Sequence, residues 1–387
     1  MAVVQLALVG ARGRGCARSL ERRIARFPAP YRSACRALAR RHAWLEDIAF
    51  TFPALLLALA APRRGFDTAP VIAAAEAGAR LPALARAARV PMWLRRLPPD
   101  ALEGPLPELP DSEQFARQIA NALPTGRVDA RQWLNNVALA HEVCGPGFAA
   151  WTAREFIRKP CAIVSIAQLR LVGLWAWFSA QPETDAGACW PARFTEKMSW
   201  GGAWAEALQW ARVVESALEL GERPVTPWIA GGSAGGFEFA PLTRASDLRD
   251  EARAMRHCVA MYGDQIAGGH SRLYSVRRDG ERVATLELAL QGAGLPVSVA
   301  QILGPCNKAP APDVVWAAHD WVHKRDLRAL DLPAPVDTAY DNDVWRRMWR
   351  PYWLERRRIP HWLPLRPYAT LFRWYGPRAR RRRRARN

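Results

Sequence analysis

A chain of 387 residues, half of them apolar and 24% charged, can bury enough surface for two or three domains and excludes both a stapled mini-protein and a disordered polypeptide. Its seven cysteines (16, 35, 144, 161, 189, 258 and 306) are odd in number and nowhere spaced C-x-x-C, which argues against a disulfide framework or a zinc ribbon and for a reducing compartment. The net charge of +19 is unevenly spread: +9 over residues 1–110, −4 over 111–343, and +14 from Val344 to Asn387, where fifteen arginines stand against one acid, Glu355.

Residues 1–9 are apolar, but Arg12, Arg14 and Arg18 follow them, the reverse of the order in a secretory signal. The apolar run Ile48–Ala61 is short and contains Pro53, and Cys161–Ala180 contains Gln168 and Arg170, so neither makes a convincing membrane span. A cytoplasmic protein with no integral membrane segment is expected. Residues 1–110 read as a basic helical region, rich in Ala, Leu and Arg and punctuated by prolines. Pro98 to Pro110 is too proline-rich for a helix or a central strand and marks a linker or an extended crossing. Residues 111–224 read as a tryptophan-rich helical region. Asp111 or Ser112 can cap a helix to about Leu123, and most of the rings from Trp133 to Trp210 are expected in the core. Gly221–Thr243, with its run Gly231-Gly-Ser-Ala-Gly-Gly236, lacks the spacing of a phosphate-binding loop and reads as a domain boundary.

Residues 225–330 predict a small α+β domain: a helix, a three-stranded antiparallel sheet and a closing helix. Leu248, Ala252, Met255, Val259, Tyr262 and Ile266 recur at steps of three and four, which predicts one helix from Asp247 ended by Gly268-Gly269, with His257 opposite its buried face. Asp279-Gly280 predicts a two-residue hairpin turn. That register pairs Tyr274 with Thr285 and Arg272 with Glu287, and places Leu273, Ser275, Ala284, Leu286, Leu288 and Leu290 on the core face. The third strand is expected over Val297–Leu303 with Gln301 on the side of Val299, and the last helix over about Asp313 to Leu330.

The series Met255-Arg-His-Cys-Val-Ala-Met-Tyr262, Gly269, Leu273-Tyr-Ser-Val-Arg277, Ala284-Thr-Leu-Glu-Leu288 and Gln301-Ile-Leu-Gly304 with Asn307 resembles the PcfJ-like proteins, over roughly residues 228–310. The resemblance implies a bacterial protein linked to mobile elements such as conjugative plasmids. It carries no established biochemical activity.

Candidate catalytic or ligand-binding residues are His257, Cys258, Tyr262, Thr285, Glu287, Gln301 and Asn307. They converge if the helix from Asp247 crosses the sheet on the face bearing Glu287, where the carboxylate serves as a general base or holds a cation. An Arg272–Glu287 salt bridge is the simpler structural account of that pair. Adjacent His257 and Cys258 diverge on a helix and cannot form a direct imidazole–thiolate pair. His319 and His323 stand one turn apart, but no third ligand is evident, so no metal and no cofactor is expected.

In the tail, residues 331–387, Trp345, Trp349 and Trp353 would form one helical stripe flanked by guanidinium groups. Such a surface can dock on the protein's own acidic middle, lie at an anionic membrane, or hold phosphates while bases stack on exposed rings. Arg346, Arg347, Arg350, Arg356, Arg357, Arg358 and the run Arg380, Arg381, Arg382, Arg383, Arg384 are the candidate nucleic-acid contacts, largely blind to sequence. The sequence therefore predicts a mainly α N-terminal region, a small α+β domain and a basic C-terminal tail. Its expected role is a nucleic-acid-associated accessory protein, with a protein partner as a further expectation. The alternative is an enzyme, a hydrolase or transferase acting on nucleic acid or protein through His257, Glu287 and Gln301.

Overall fold

Proline decides where several of the helices begin. Pro53, Pro70, Pro82 and Pro146 stand in the first turn of the helices Pro53–Ala60, Ala69–Glu76, Leu81–Ala87 and Pro146–Arg158, where a missing N–H costs no hydrogen bond. The structure is a computed structural model and describes residues 19–41, 43–124, 127–159, 165–290, 297–327, 330, 332 and 342–356. These are mainly helical, and no helix among them is long and apolar enough to cross a membrane. The chain divides into two compact units, one of residues 1–177 and 195–204, the other of 178–194 and 205–387.

In the first unit the apolar run 53–57 is wholly buried. The proline-rich stretch is an extended crossing: Leu102, Leu106 and Leu109 are buried, and the Trp93 indole donates to the Pro110 carbonyl at 2.9 Å. Trp93 also meets Trp133 edge-on at 5.9 Å. Ser112 caps the helix Glu113–Gln118 by accepting from the Phe115 N–H at 3.1 Å, and that helix ends short of the expected Leu123. The expected core rings Trp133, Trp151, Trp175, Trp177 and Trp200 are buried here, as Trp210 is in the second unit.

The second unit holds an antiparallel sheet of five strands, not three, arranged in sequence order. The two additional strands, β1 (Gly232–Ala234) and β2 (Phe237–Leu242), come from the segment expected to be a boundary. Gly235 and Gly236, at φ +58° and +82°, turn the chain between them in the left-handed region that glycine adopts without strain. There follow α1 (Ala245–Met255), α2 (Gly263–Ala267), β3 (Ser271–Arg278), β4 (Glu281–Leu290), β5 (Val297–Leu303), α3 (Pro312–His323) and α4 (Asn342–Arg356).

The single helix expected from Asp247 to Ile266 is broken. Asp247 caps α1 by accepting from the Thr243 and Arg244 N–H groups, but Arg256 adopts a left-handed conformation (φ 54°, ψ 48°) and His257 is extended. Val259 and Ile266 still pack with Leu248 because the short helical turns after the break restore the spacing of three and four. Apolar periodicity survives the kink and conceals it.

The Asp279-Gly280 hairpin forms as expected, with Arg278 opposite Glu281 and both turn residues at positive φ. Beyond it the expected register fails. A bulge sets Val276 opposite Ala284, so Thr285 faces Ser275 and Glu287 faces Leu273. A one-residue slip exchanges the faces of a strand. Tyr274 and Val276 consequently join Ala284, Leu286 and Leu288 in the core closed by Val314, Ala317 and Trp321 of α3, where Trp321 stacks on Phe239 at 4.5 Å. Leu273 packs instead with α1 on the other face. A second bulge, at Ala300, pairs Glu287 with Gln301 and Leu288 with Val299, so Val299 lies on the α3 side and Gln301 on the α1 side, contrary to expectation.

Candidate functional site

Two consecutive bulges and one helix break bring the polar residues together. Glu251 lies three residues after Leu248 and four before Met255, on the buried face of α1, and its side chain is 0% exposed. A buried carboxylate needs partners. It accepts from Arg282 Nε at 2.8 Å and from the Thr285 hydroxyl at 2.7 Å. Thr285 has one proton and gives it to Glu251, so the 2.8 Å contact between His257 Nε2 and Thr285 Oγ1 requires His257 to donate. Burial holds the His257 pKa below the ordinary imidazole value. The ring is therefore neutral near pH 7, and its Nδ1 is a buried acceptor with no hydrogen-bond partner among the described residues.

A second triangle stands beside this relay. Gln301 Nε2 donates to Glu287 Oε2 at 2.6 Å and to the Tyr262 hydroxyl at 2.7 Å, and Tyr262 also hydrogen-bonds Glu287. Burial raises the Glu287 pKa against those two hydrogen bonds. Burial, with the Glu287 charge second, pushes the Tyr262 phenol up to about 12.

All seven residues singled out in the sequence, His257, Cys258, Tyr262, Thr285, Glu287, Gln301 and Asn307, line one small pocket of about 20 Å³. That is room for about one water. Cys258 is exposed at its rim. The expected Arg272–Glu287 bridge does not form: the register turns Arg272 away, and its guanidinium donates to the Thr226, Ile266 and Ser271 carbonyls over the Trp228 ring. His257, Cys258 and Asn307 also line a larger cavity of about 870 Å³.

Sequence reasoning missed Glu251 and Arg282. The 248/251/255 spacing was a signal for the first, because it places a carboxylate on an otherwise apolar helix face. Arg282 carried no such signal, since its reach to Glu251 depends on how α1 lies across β4.

On α4 two rings of the expected tryptophan stripe are core, and the third, Trp353, is half-buried. Trp345, Trp349 and Tyr352 are buried, and Trp349 meets Phe178 edge-on at 5.2 Å and Trp210 at 6.4 Å. Trp345 and Trp349 are thus not base-stacking platforms. Arg347 bridges to Asp185 at 2.6 Å and to Glu222, so one expected phosphate contact is spent on the acidic middle. Arg346 lies 3.3 Å from Asp343, Arg350 is exposed, and the Arg356 guanidinium lies 5.8 Å from the Tyr352 ring. Arg357, Arg358 and Arg380 to Arg384 lie outside the described residues. His319 and His323 are exposed on α3 with ring centroids 6.1 Å apart, and among the described residues no third metal-ligating side chain joins them.

A five-stranded antiparallel meander with a helix on each face and a polar cluster under one of them defines a compact α+β domain. It is a PcfJ-like domain: residues 230–316 match the family PcfJ-like protein. No curated protein and no solved structure matches the chain.

Proposed function

We propose that the protein is a nucleic-acid-associated accessory protein of a mobile genetic element, gripping phosphates through its C-terminal arginines. The observation that carries this reading is the charge of +14 from Val344 to Asn387 beside a middle of −4. A run of guanidiniums of this density gains by exchanging its counterions for nucleic-acid phosphates, with little regard to base sequence. The link to a mobile element rests on the PcfJ-like domain alone. Full-length protein with Arg380, Arg381, Arg382, Arg383 and Arg384 replaced by Ala tests the arm. Oligonucleotides of unrelated sequence are expected to bind the wild type alike and the variant about tenfold or more weakly. Equal binding by both proteins overturns the reading.

The convergence of His257, Thr285, Glu287 and Gln301 on one pocket favours a second reading, an enzyme acting on nucleic acid or protein. Here Glu287, its pKa raised by burial, would exchange protons with the reacting group. Turnover of a labelled oligonucleotide or polypeptide that is lost in Glu287→Gln while binding persists supports it. Turnover retained by that variant removes it.

A further inference from the structure

We infer that the cavity of about 870 Å³ beside His257 is a binding site for the phosphate group of a nucleotide. This goes beyond the C-terminal arm and does not depend on it.

Four arginines line the cavity, Arg193 from the segment before the long helix Trp200–Leu220, and Arg249, Arg253 and Arg256 from α1 and its end. None of its lining residues is Asp or Glu. Among the described residues the ion pair made by these four arginines is that of Arg253 with Asp250 at 3.6 Å, with both side chains largely exposed. Arg249 is half-buried, and among the described residues its side-chain hydrogen-bond partner is the Cys189 sulfur at 3.9 Å. Cations gathered around a concave site without carboxylates repel one another and focus a positive potential on the space between them. A single carboxylate cannot neutralise such a set. A phosphate chain can, and the planar guanidinium fork matches its oxygens two at a time.

The backbone points the same way. Arg256 is left-handed at φ 54°, and Cys306 and Asn307, in the turn after β5, stand at φ 56° and 57°. Glycine would hold the positions of Arg256 and Cys306 without the cost of roughly 1–2 kcal/mol each that most side chains incur there, whereas asparagine enters this region more readily. Two of the three, Arg256 and Asn307, line the cavity. Strain of this kind gathers where a side chain is needed for something other than folding.

The rest of the lining suits a nucleoside. The Trp190 ring is held by its indole, which donates to Glu206 at 2.6 Å, and Gln209 Oε1 is a buried acceptor without a hydrogen-bond partner among the described residues. The volume lies within the roughly 300–1,000 Å³ usual for small-ligand sites.

The phosphate can belong to a free nucleotide or to the 5′ end of a strand, and the test separates them. Full-length protein is titrated with ATP, and with one oligonucleotide carrying either a 5′-phosphate or a 5′-hydroxyl. Wild type, Arg256→Gly and Arg249→Met are compared. Arg256→Gly relieves the positive φ, so it keeps the fold and a melting temperature no lower than wild type. The expected result is that ATP, or the 5′-phosphate's advantage over the 5′-hydroxyl, weakens about tenfold or more in both variants. Loss for ATP alone assigns a free nucleotide, and loss of the 5′-phosphate advantage alone assigns a strand end. ATP binding and a 5′-phosphate advantage that are both absent in wild type, or both unchanged in Arg256→Gly and Arg249→Met, overturn the inference. Replacing Arg380 to Arg384 is expected to leave the ATP titration unchanged, so failure of the arm and failure of the cavity are told apart.

Discussion

Thr285 is where the buried polar network is most exposed to a single change, since its hydroxyl serves Glu251 and His257 at once. Thr285→Val keeps the shape and leaves both neighbours short of a partner, so a loss of about 1–3 kcal/mol is expected in urea unfolding. A change below a few tenths would show that the network is not coupled to folding. The pH dependence has two parts of opposite sign. His257 has a lowered pKa when folded, so the unfolded chain binds more protons and stability falls as pH drops through the unfolded imidazole value near 6.5. Glu287 has a raised pKa, so its contribution is fullest at low pH and declines as pH rises from the unfolded carboxylate value through the raised one. Unfolding measured across pH 4 to 8 should lose the first slope in His257→Asn and the second in Glu287→Gln. Residue types in the site were legible in the sequence because polar side chains stood out within apolar strands. Their partners were not, because hydrogen bonding depends on register, and a single unpaired residue changes it.

At the scale of elements, β4 and β5 show what the sequence could and could not disclose. Strand limits followed from alternation and from Asp279-Gly280, and β5 runs over the expected Val297–Leu303. The bulges at Val276/Arg277 and Ala300 left no mark in composition, yet they decide that Glu287 meets Gln301 and not Arg272. Deleting Ala300, the unpaired residue, is expected to give a regular ladder in which Gln301 still stands opposite Glu287 and reaches Tyr262. The Tyr262 phenol, raised to about 12, would keep that hydrogen bond, and its ring-proton NMR signals would stay near their wild-type positions. Tyr262 signals shifted to those of a freely rotating, solvated ring would contradict the bulged register of β5, since in an unbulged strand the deletion turns Gln301 to the other face. Helix α4 behaves as a core element: Trp349→Ala removes a fully buried ring and should destabilise the second unit by about 3–5 kcal/mol. A loss under about 1 kcal/mol would mean that α4 is not packed in the core.

At the scale of the whole molecule the governing property is charge. The sequence disclosed its segregation, and the structure refines it: Arg347 is neutralised by Asp185 and Glu222, while an arginine-lined cavity opens inside the second unit. That cavity was not legible, because Arg193 and Arg256 are 63 positions apart and only folding places them around one space. The most direct test is the salt dependence of nucleic-acid affinity for the full chain, from low to physiological ionic strength. Contact through arginines predicts that log K falls linearly with log salt by about 0.7 per phosphate engaged on a single strand, shared by oligonucleotides of any sequence. An affinity that does not move with salt, or no measurable binding at low salt, would contradict it.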